Sequence, residues 1–236
     1  MTLLELVTHL RTSILDDVGG INVEWDGIAE DDTNAAQLRW SNEELTRFIN
    51  EAQKQACRSA FLLKSADASF QISVTADTPT YAMDSKILRI KGAWLESTGS
   101  ELSPLEYEDL MAIPKWRTTA RTPHSYIPDY DTGTIRLYGI PLIDDTVNIL
   151  AYHLPLVDMD WNKAIVDTPE IREEYHIDML AYAAYLAYQK DEANTFDPQR
   201  AEYFRQLFQR SFSDTSAYGD TRRRRTSGRT VRYGGY

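Results

Sequence analysis

The sequence predicts an α+β protein, mainly α with a β insertion, on three observations. Apolar residues recur at helical spacing over about 3–16, 41–63, 168–190 and 198–212. From about 68 to 154 the pattern changes to alternation, punctuated by Pro104, Pro114, Pro123, Pro128, Pro141 and Pro155, which favour turns and edge strands over one large sheet. The closing stretch TRRRRTSGRTVRYGGY, residues 221–236, fits neither pattern. The expected architecture is a four-helix bundle from 1–67 and 156–215, a protruding β-rich wing at 68–155, and an extended C-terminal arm at 216–236.

In the first helix, Leu3, Val7, Leu10 and Ile14 share a face, and Thr2 with Glu5 has the spacing of a capping box. Residues 18–38 are rich in glycine and acid and read as a long loop. The next start signal combines Ser41 at the N-cap, Glu44 three residues on, and Trp40 set to pack on Leu45. Leu45, Phe48, Ile49, Ala52, Ala56, Ala60 and Leu63 then form one apolar face. Cys57, the single cysteine, excludes an internal disulfide and reads as a small buried hydrophobe.

Strands are expected around Phe70, Ile72 and Val74, around Ile87–Trp94, and around Val147, Ile149 and Tyr152. Residues 123–141 read as a hairpin turning at Asp131-Thr132-Gly133, and SPLEYEDLMAIP as a short helix. Thr168 followed by Pro169 and Glu170 marks a helix start, with Ile171, Tyr175, Met179, Tyr182 and Leu186 running to about Lys190. Asp197-Pro198 repeats the device, with Tyr203, Phe204, Leu207, Phe208 and Phe212 toward the core.

Composition excludes several classes. No run of about 18 apolar residues could span a membrane, and the N-terminus lacks the basic region of a signal peptide. No enzyme signature is found: GxxxxGK[ST], GxSxG, HExxH and cysteine pairs are all missing, so no catalytic, cofactor or metal residue is expected. The four histidines (9, 124, 153, 176) are scattered, and His176, beside Glu173 and Glu174, reads as part of a solvated helix face. The acidic groups at 30–32, 106–109 and 158–160 lack EF-hand spacing and read as solvated loops. Tyr182, Tyr185 and Tyr188, spaced by three among alanines, read as core or subunit interface. Trp40, Leu45, Phe48, Ile49, Tyr182, Tyr185, Leu186, Phe204 and Phe208 are the expected packing residues.

Charge is unevenly placed. The protein carries a net −11, yet residues 221–236 hold six arginines and no acid, leaving 19 basic against 36 acidic residues elsewhere, a net of −17. Three readings stand for that tail: a solvated end, a basic arm on nucleic acid, or a segment that docks in a partner's groove. In the last, Arg222, Arg223, Arg224, Arg225, Arg229 and Arg232 engage carboxylates, and Tyr233 and Tyr236 anchor.

The stretch WSNEELTRFINEAQKQA, the segments ILRIKGAWLE, TIRLYGIP and ILAYHLPL, and the closing TPEIREEYHIDMLAYAAYLAYQKDE and DPQRAEYFRQLFQR occur in an order that resembles the head-to-tail adaptor (head completion) proteins of tailed bacteriophages, particularly the short-tailed kind. The resemblance covers about residues 38–212 and is sharpest at Trp40, Ser41, Glu44, Leu45, Ile49, Asn50 and Ala52. It implies a structural virion protein, assembled in the host cytoplasm, that forms a ring of typically twelve copies beneath the portal protein. The ring would extend the DNA channel and receive tail or nozzle proteins below, while the C-terminal arm docks on portal subunits. The alternative is an accessory protein that binds nucleic acid through its arginine-rich tail.

Overall fold

The computed structural model describes residues 1–17, 38–111, 113–190 and 195–213. The chain divides into two compact units: a helical unit from Met1–Leu62 with the chain from Pro155 onward, and a sheet unit, Leu63–Leu154. Together they make an α+β protein of helices and a curled mixed sheet.

In the helical unit, α1 (Leu3–His9) starts in the expected capping box, with Thr2 Oγ1 accepting from Glu5 N and Glu5 accepting from Thr2 N. It does not continue to 16 as a regular helix. Leu10–Leu15 form a π turn, ended by Asp16 in a left-handed conformation at φ 50°. The wider turn holds an extra residue. It moves the buried position from Ile14 to Leu15 and turns Arg11 inward.

Helix α2 (Asn42–Ala60) carries the second capping box, Ser41 with Glu44. Leu45, Ile49, Ala52, Ala56 and Ala60 are buried as the spacing predicts, and so is Cys57. The helix stops three residues before Leu63. Phe61 takes a left-handed conformation at φ 50°, and Leu63 opens a strand instead. Trp40 is fully buried, its indole N–H donating to Ala187 O at 3.1 Å and its ring edge-on to Tyr188 at 6.0 Å.

The next helix begins later than predicted. Pro169 and Glu170 precede it outside any helix, a 3₁₀ turn covers Glu173–Tyr175, and α4 runs His176–Tyr188 (α3, Tyr107–Met111, lies in the sheet unit). Residues 164–170 are used otherwise. Ala164 O and Asp167 O receive the N–H groups of Leu4 and Leu3, and Glu170 accepts from Val157 N. Helix α5 (Pro198–Phe212) starts as predicted, Asp197 capping Gln199 N and Arg200 N. Its core face is narrower than the pattern suggests: Phe208 and Phe212 are buried, Phe204 is half-buried, and Tyr203 and Leu207 are exposed. Among the described residues four helices reach seven residues or more: α1, α2, α4 and α5. Helix α4 packs on both α2 and α5.

His176 corrects the expectation of a solvated face. It is buried, with Nε2 donating to Ile171 O at 3.0 Å and Nδ1 without a partner. Burial pushes its pKa below the usual 6.5, and the nearby N-terminal ammonium adds to the shift.

The sheet unit has eight strands: β1 (Leu63–Ser65), β2 (Ile72–Val74), β3 (Thr80–Ala82), β4 (Ile87–Leu95), β5 (Glu101–Pro104), β6 (Ser125–Pro128), β7 (Thr134–Tyr138) and β8 (Asp145–His153). They join in one sheet in the order β1-β8-β4-β5-β6-β7-β3, with β2 also on β8. The prolines therefore end strands rather than divide the sheet: Pro104 and Pro128 are the last residues of β5 and β6. Strand β8 is the spine. One side pairs with β4, and the other takes β1 opposite Ala151–His153 and β2 opposite Asp145–Val147. The β5–β6 pair is parallel, the rest antiparallel. The β6–β7 hairpin turns at the predicted place, with Gly133 at φ 69°.

Two predictions follow from these local constraints. Gly139 sits at φ 93°, and a Cβ there would lie 3.0 Å from Arg121 O. Gly139→Ala should destabilise the sheet unit by about 1–3 kcal/mol, read as a lower denaturation midpoint. For His176 the folded pKa lies below the unfolded one, so the unfolded state binds the extra proton as pH falls. Stability should drop below about pH 6.5 and level off under the folded pKa. Denaturant midpoints of wild type and His176→Gln at about pH 7.5 and 5.5 check this; the variant should lose less.

Candidate docking surfaces

A groove of about 480 Å³ opens in the helical unit where the end of α2 meets α4 and α5. Its floor is aromatic. Tyr182 packs on Phe208 at 5.0 Å between ring centroids and on Tyr185 at 5.3 Å. Burial raises the Tyr182 phenol pKa, so it stays a neutral donor. Arg58 and Arg205 stand at the rim. Arg205 is held by Glu202 through two bonds of 2.8 and 2.9 Å, and these, with Gln206, bring the Glu202 carboxyl down to about 2.

The sheet unit carries a second surface. Leu110, Trp116, Ile127 and Tyr138 form a small buried cluster. Tyr107, Trp116 and Tyr130 meet around it with centroids 6.0 to 6.4 Å apart. Three guanidinium groups lie on these rings. Arg117 stands 5.0 Å over Trp116, Arg136 lies 5.1 Å from Trp116 and 4.9 Å from Tyr130, and Arg121 sits 4.4 Å over Tyr138. Arg117 also donates to the Tyr107 hydroxyl at 3.2 Å. Arg121 lies 3.1 Å from His124 Nε2, and burial together with the Arg121 charge lowers the His124 pKa.

The sequence-predicted packing residues all lie in the helical unit. Trp40, Leu45, Ile49 and Phe208 are buried, and Phe48, Tyr182, Tyr185, Leu186 and Phe204 are half-buried, all in the helical unit. The structure brings Tyr182, Tyr185 and Phe208 together at the groove. The proposed arm residues Arg222, Arg223, Arg224, Arg225, Arg229, Arg232, Tyr233 and Tyr236 lie outside the described residues, as does the 18–37 segment. The arginine-capped face of the sheet unit was missed. Its signal was present: from Leu110 to Pro128 there are three basic residues and no acid, in a chain with an acidic excess. Among the described residues no group of three or more His, Cys, Asp or Glu could hold a metal ion, and no helix is long and apolar enough to cross a membrane.

A family model described as SU10 adaptor protein matches residues 1–233. No curated protein matches the chain.

Proposed function

The chain belongs to the SU10 adaptor protein family, and on that premise we propose that it is a bacteriophage structural protein, an adaptor at the head–tail junction of the virion. The observation that carries this reading is the family match, which spans nearly the whole chain. In this reading the four longer helices, from 1–67 and 156–215, form the bundle of each subunit, and residues 68–155 are its β-rich insertion. Copies, twelve in the short-tailed pattern, make a ring that joins portal protein to tail or nozzle proteins and extends the DNA channel.

The charge distribution supports each part. A body of net −17 gives a channel wall that DNA slides along, because cationic contacts are what create salt-dependent adhesion. The arm at 216–236 is the one strongly basic stretch, and it would hold the portal through arginine forks and terminal tyrosines. A segment that orders only on docking loses entropy, so a single such contact binds weakly. A ring of them engages together and binds durably.

Electron microscopy of full-length protein and of a chain ending at Asp220, each mixed with the cognate portal protein, tests the reading. Full-length protein should add a ring to the portal and the shortened chain should not. If neither binds, while the full-length chain shifts DNA in a salt-sensitive way, the arm is a nucleic-acid binder instead.

A further inference from the structure

We propose that neighbouring copies join head to tail, the arginine-capped aromatic face of the sheet unit receiving an acidic, aliphatic surface on the helical unit of the next copy. The inference rests on the ring reading above.

The receiving face is built for a carboxylate. Arg11, Arg200 and Arg205 each pair with an acid in the helical unit. Among the described residues Arg117, Arg121 and Arg136 form no ion pair, although all three are held in place by rings. The buried Nε of Arg121 has no hydrogen-bond partner. Each guanidinium has one polar contact within the unit, Arg117 to the Tyr107 hydroxyl, Arg121 to His124 Nε2 and Arg136 to Thr80 Oγ1, and with five N–H donors each keeps others for a planar acceptor such as a carboxylate. Beside these groups Met111 is 64% exposed and Tyr107 39%, leaving uncovered apolar surface next to the charge.

The complementary surface is the chain from Pro155 to Asp178. It holds seven acidic and two basic residues. Val157, Ile165 and Val166 are 65–73% exposed there and leave apolar surface uncovered among the acids. Bonds from Val157 N to Glu170 at 2.8 Å and from Asp160 N to Asp167 at 2.9 Å hold the segment as one folded surface. Glu173 and Glu174 are exposed at its end. Charge and apolarity on the two surfaces are thus matched in kind and opposite in sign.

The two surfaces differ, so their contact is heterologous, and repetition of a heterologous contact gives a ring where its rotation closes and an open filament where it does not. Duplex DNA is a poorer occupant of the arginine face. Residues 63–154 carry eight basic against twelve acidic residues, a net of −4 that opposes a polyanion at long range.

Charge reversal tests the contact in the full-length protein. Arg117→Glu, on an exposed side chain, reverses the receiving face; Glu173→Arg with Glu174→Arg reverses the inserting surface. Ring formation is read by sedimentation of the free protein and by electron microscopy on the portal. Each reversal alone should abolish or strongly deplete rings, and all three substitutions in one chain should restore them. Rings from the single-surface variants at the wild-type level, or no rescue by the combination, overturn this contact and leave the adaptor reading standing. No wild-type ring in either setting overturns both. Loss of salt-sensitive DNA retention in Arg117→Glu with ring formation intact assigns the face to nucleic acid instead.

Discussion

Arg11 is a buried guanidinium that reaches the Asp17 carboxylate, Trp40 O at 2.6 Å and Asn42 Oδ1 at 2.9 Å. Asp17 in turn accepts from Arg39 N at 3.0 Å. One side chain thus ties the end of the π turn to the start of α2, across twenty residues of intervening sequence. Trp40 extends the connection to α4 through Ala187 O, and Tyr188 returns it through a 3.3 Å bond to Ile14 O. Burial pulls the Arg11 pKa down while Asp17 opposes the shift, so the charge remains paired in the interior. Losing one partner of such a pair leaves the other buried and uncompensated, at about 3–5 kcal/mol.

What the sequence revealed and what it hid divide along a physical line. Caps are local: Thr2 with Glu5, Ser41 with Glu44, and Asp197 with Pro198 satisfy backbone groups within four residues, so their spacing announced them. The hairpin at Asp131–Gly133 was legible for the same reason. The late start of α4 was not, because Thr168-Pro169-Glu170 is recruited by the chain near 157 and the segment ahead of it by Leu3 and Leu4. The π turn escaped because its extra residue is fixed by the Arg11 interactions rather than by periodicity. Strands β1, β3 and β5 are three or four residues long, too short for alternation to show. His176 looked solvated from its glutamate neighbours, yet it points into the core while Glu173 and Glu174 point out. For the candidate surfaces, the aromatic residues of α4 and α5 were legible as packing residues. The stacking of Arg136 on Trp116 joins positions twenty apart and follows only from the sheet register.

The arginines describe three uses of one side chain. Arg11 is buried and fully paired, Arg117 and Arg136 are set on rings without an ion pair among the described residues, and those of the C-terminal arm lie in residues 221–236, which hold no acid. In a strongly acidic protein, cationic groups are scarce, and each placement selects what carboxylate it meets. The first fixes a fold. The second and third, on the proposed reading, fix an assembly, with specificity arising from where the positive charge is rather than from how much there is.

The pairing of Leu63 with His153 has a mechanical consequence. The chain crosses into the sheet unit just before β1 and leaves it just after β8, and these two strands lie antiparallel with the crossing ends side by side. A pull delivered through both crossings therefore draws β1 and β8 in the same direction. The hydrogen bonds between them carry little shear, and β8 passes the load to β4 along seven paired positions. A module fastened in this way meets tension as a strap does, along its length, rather than as a zipper opened from one end.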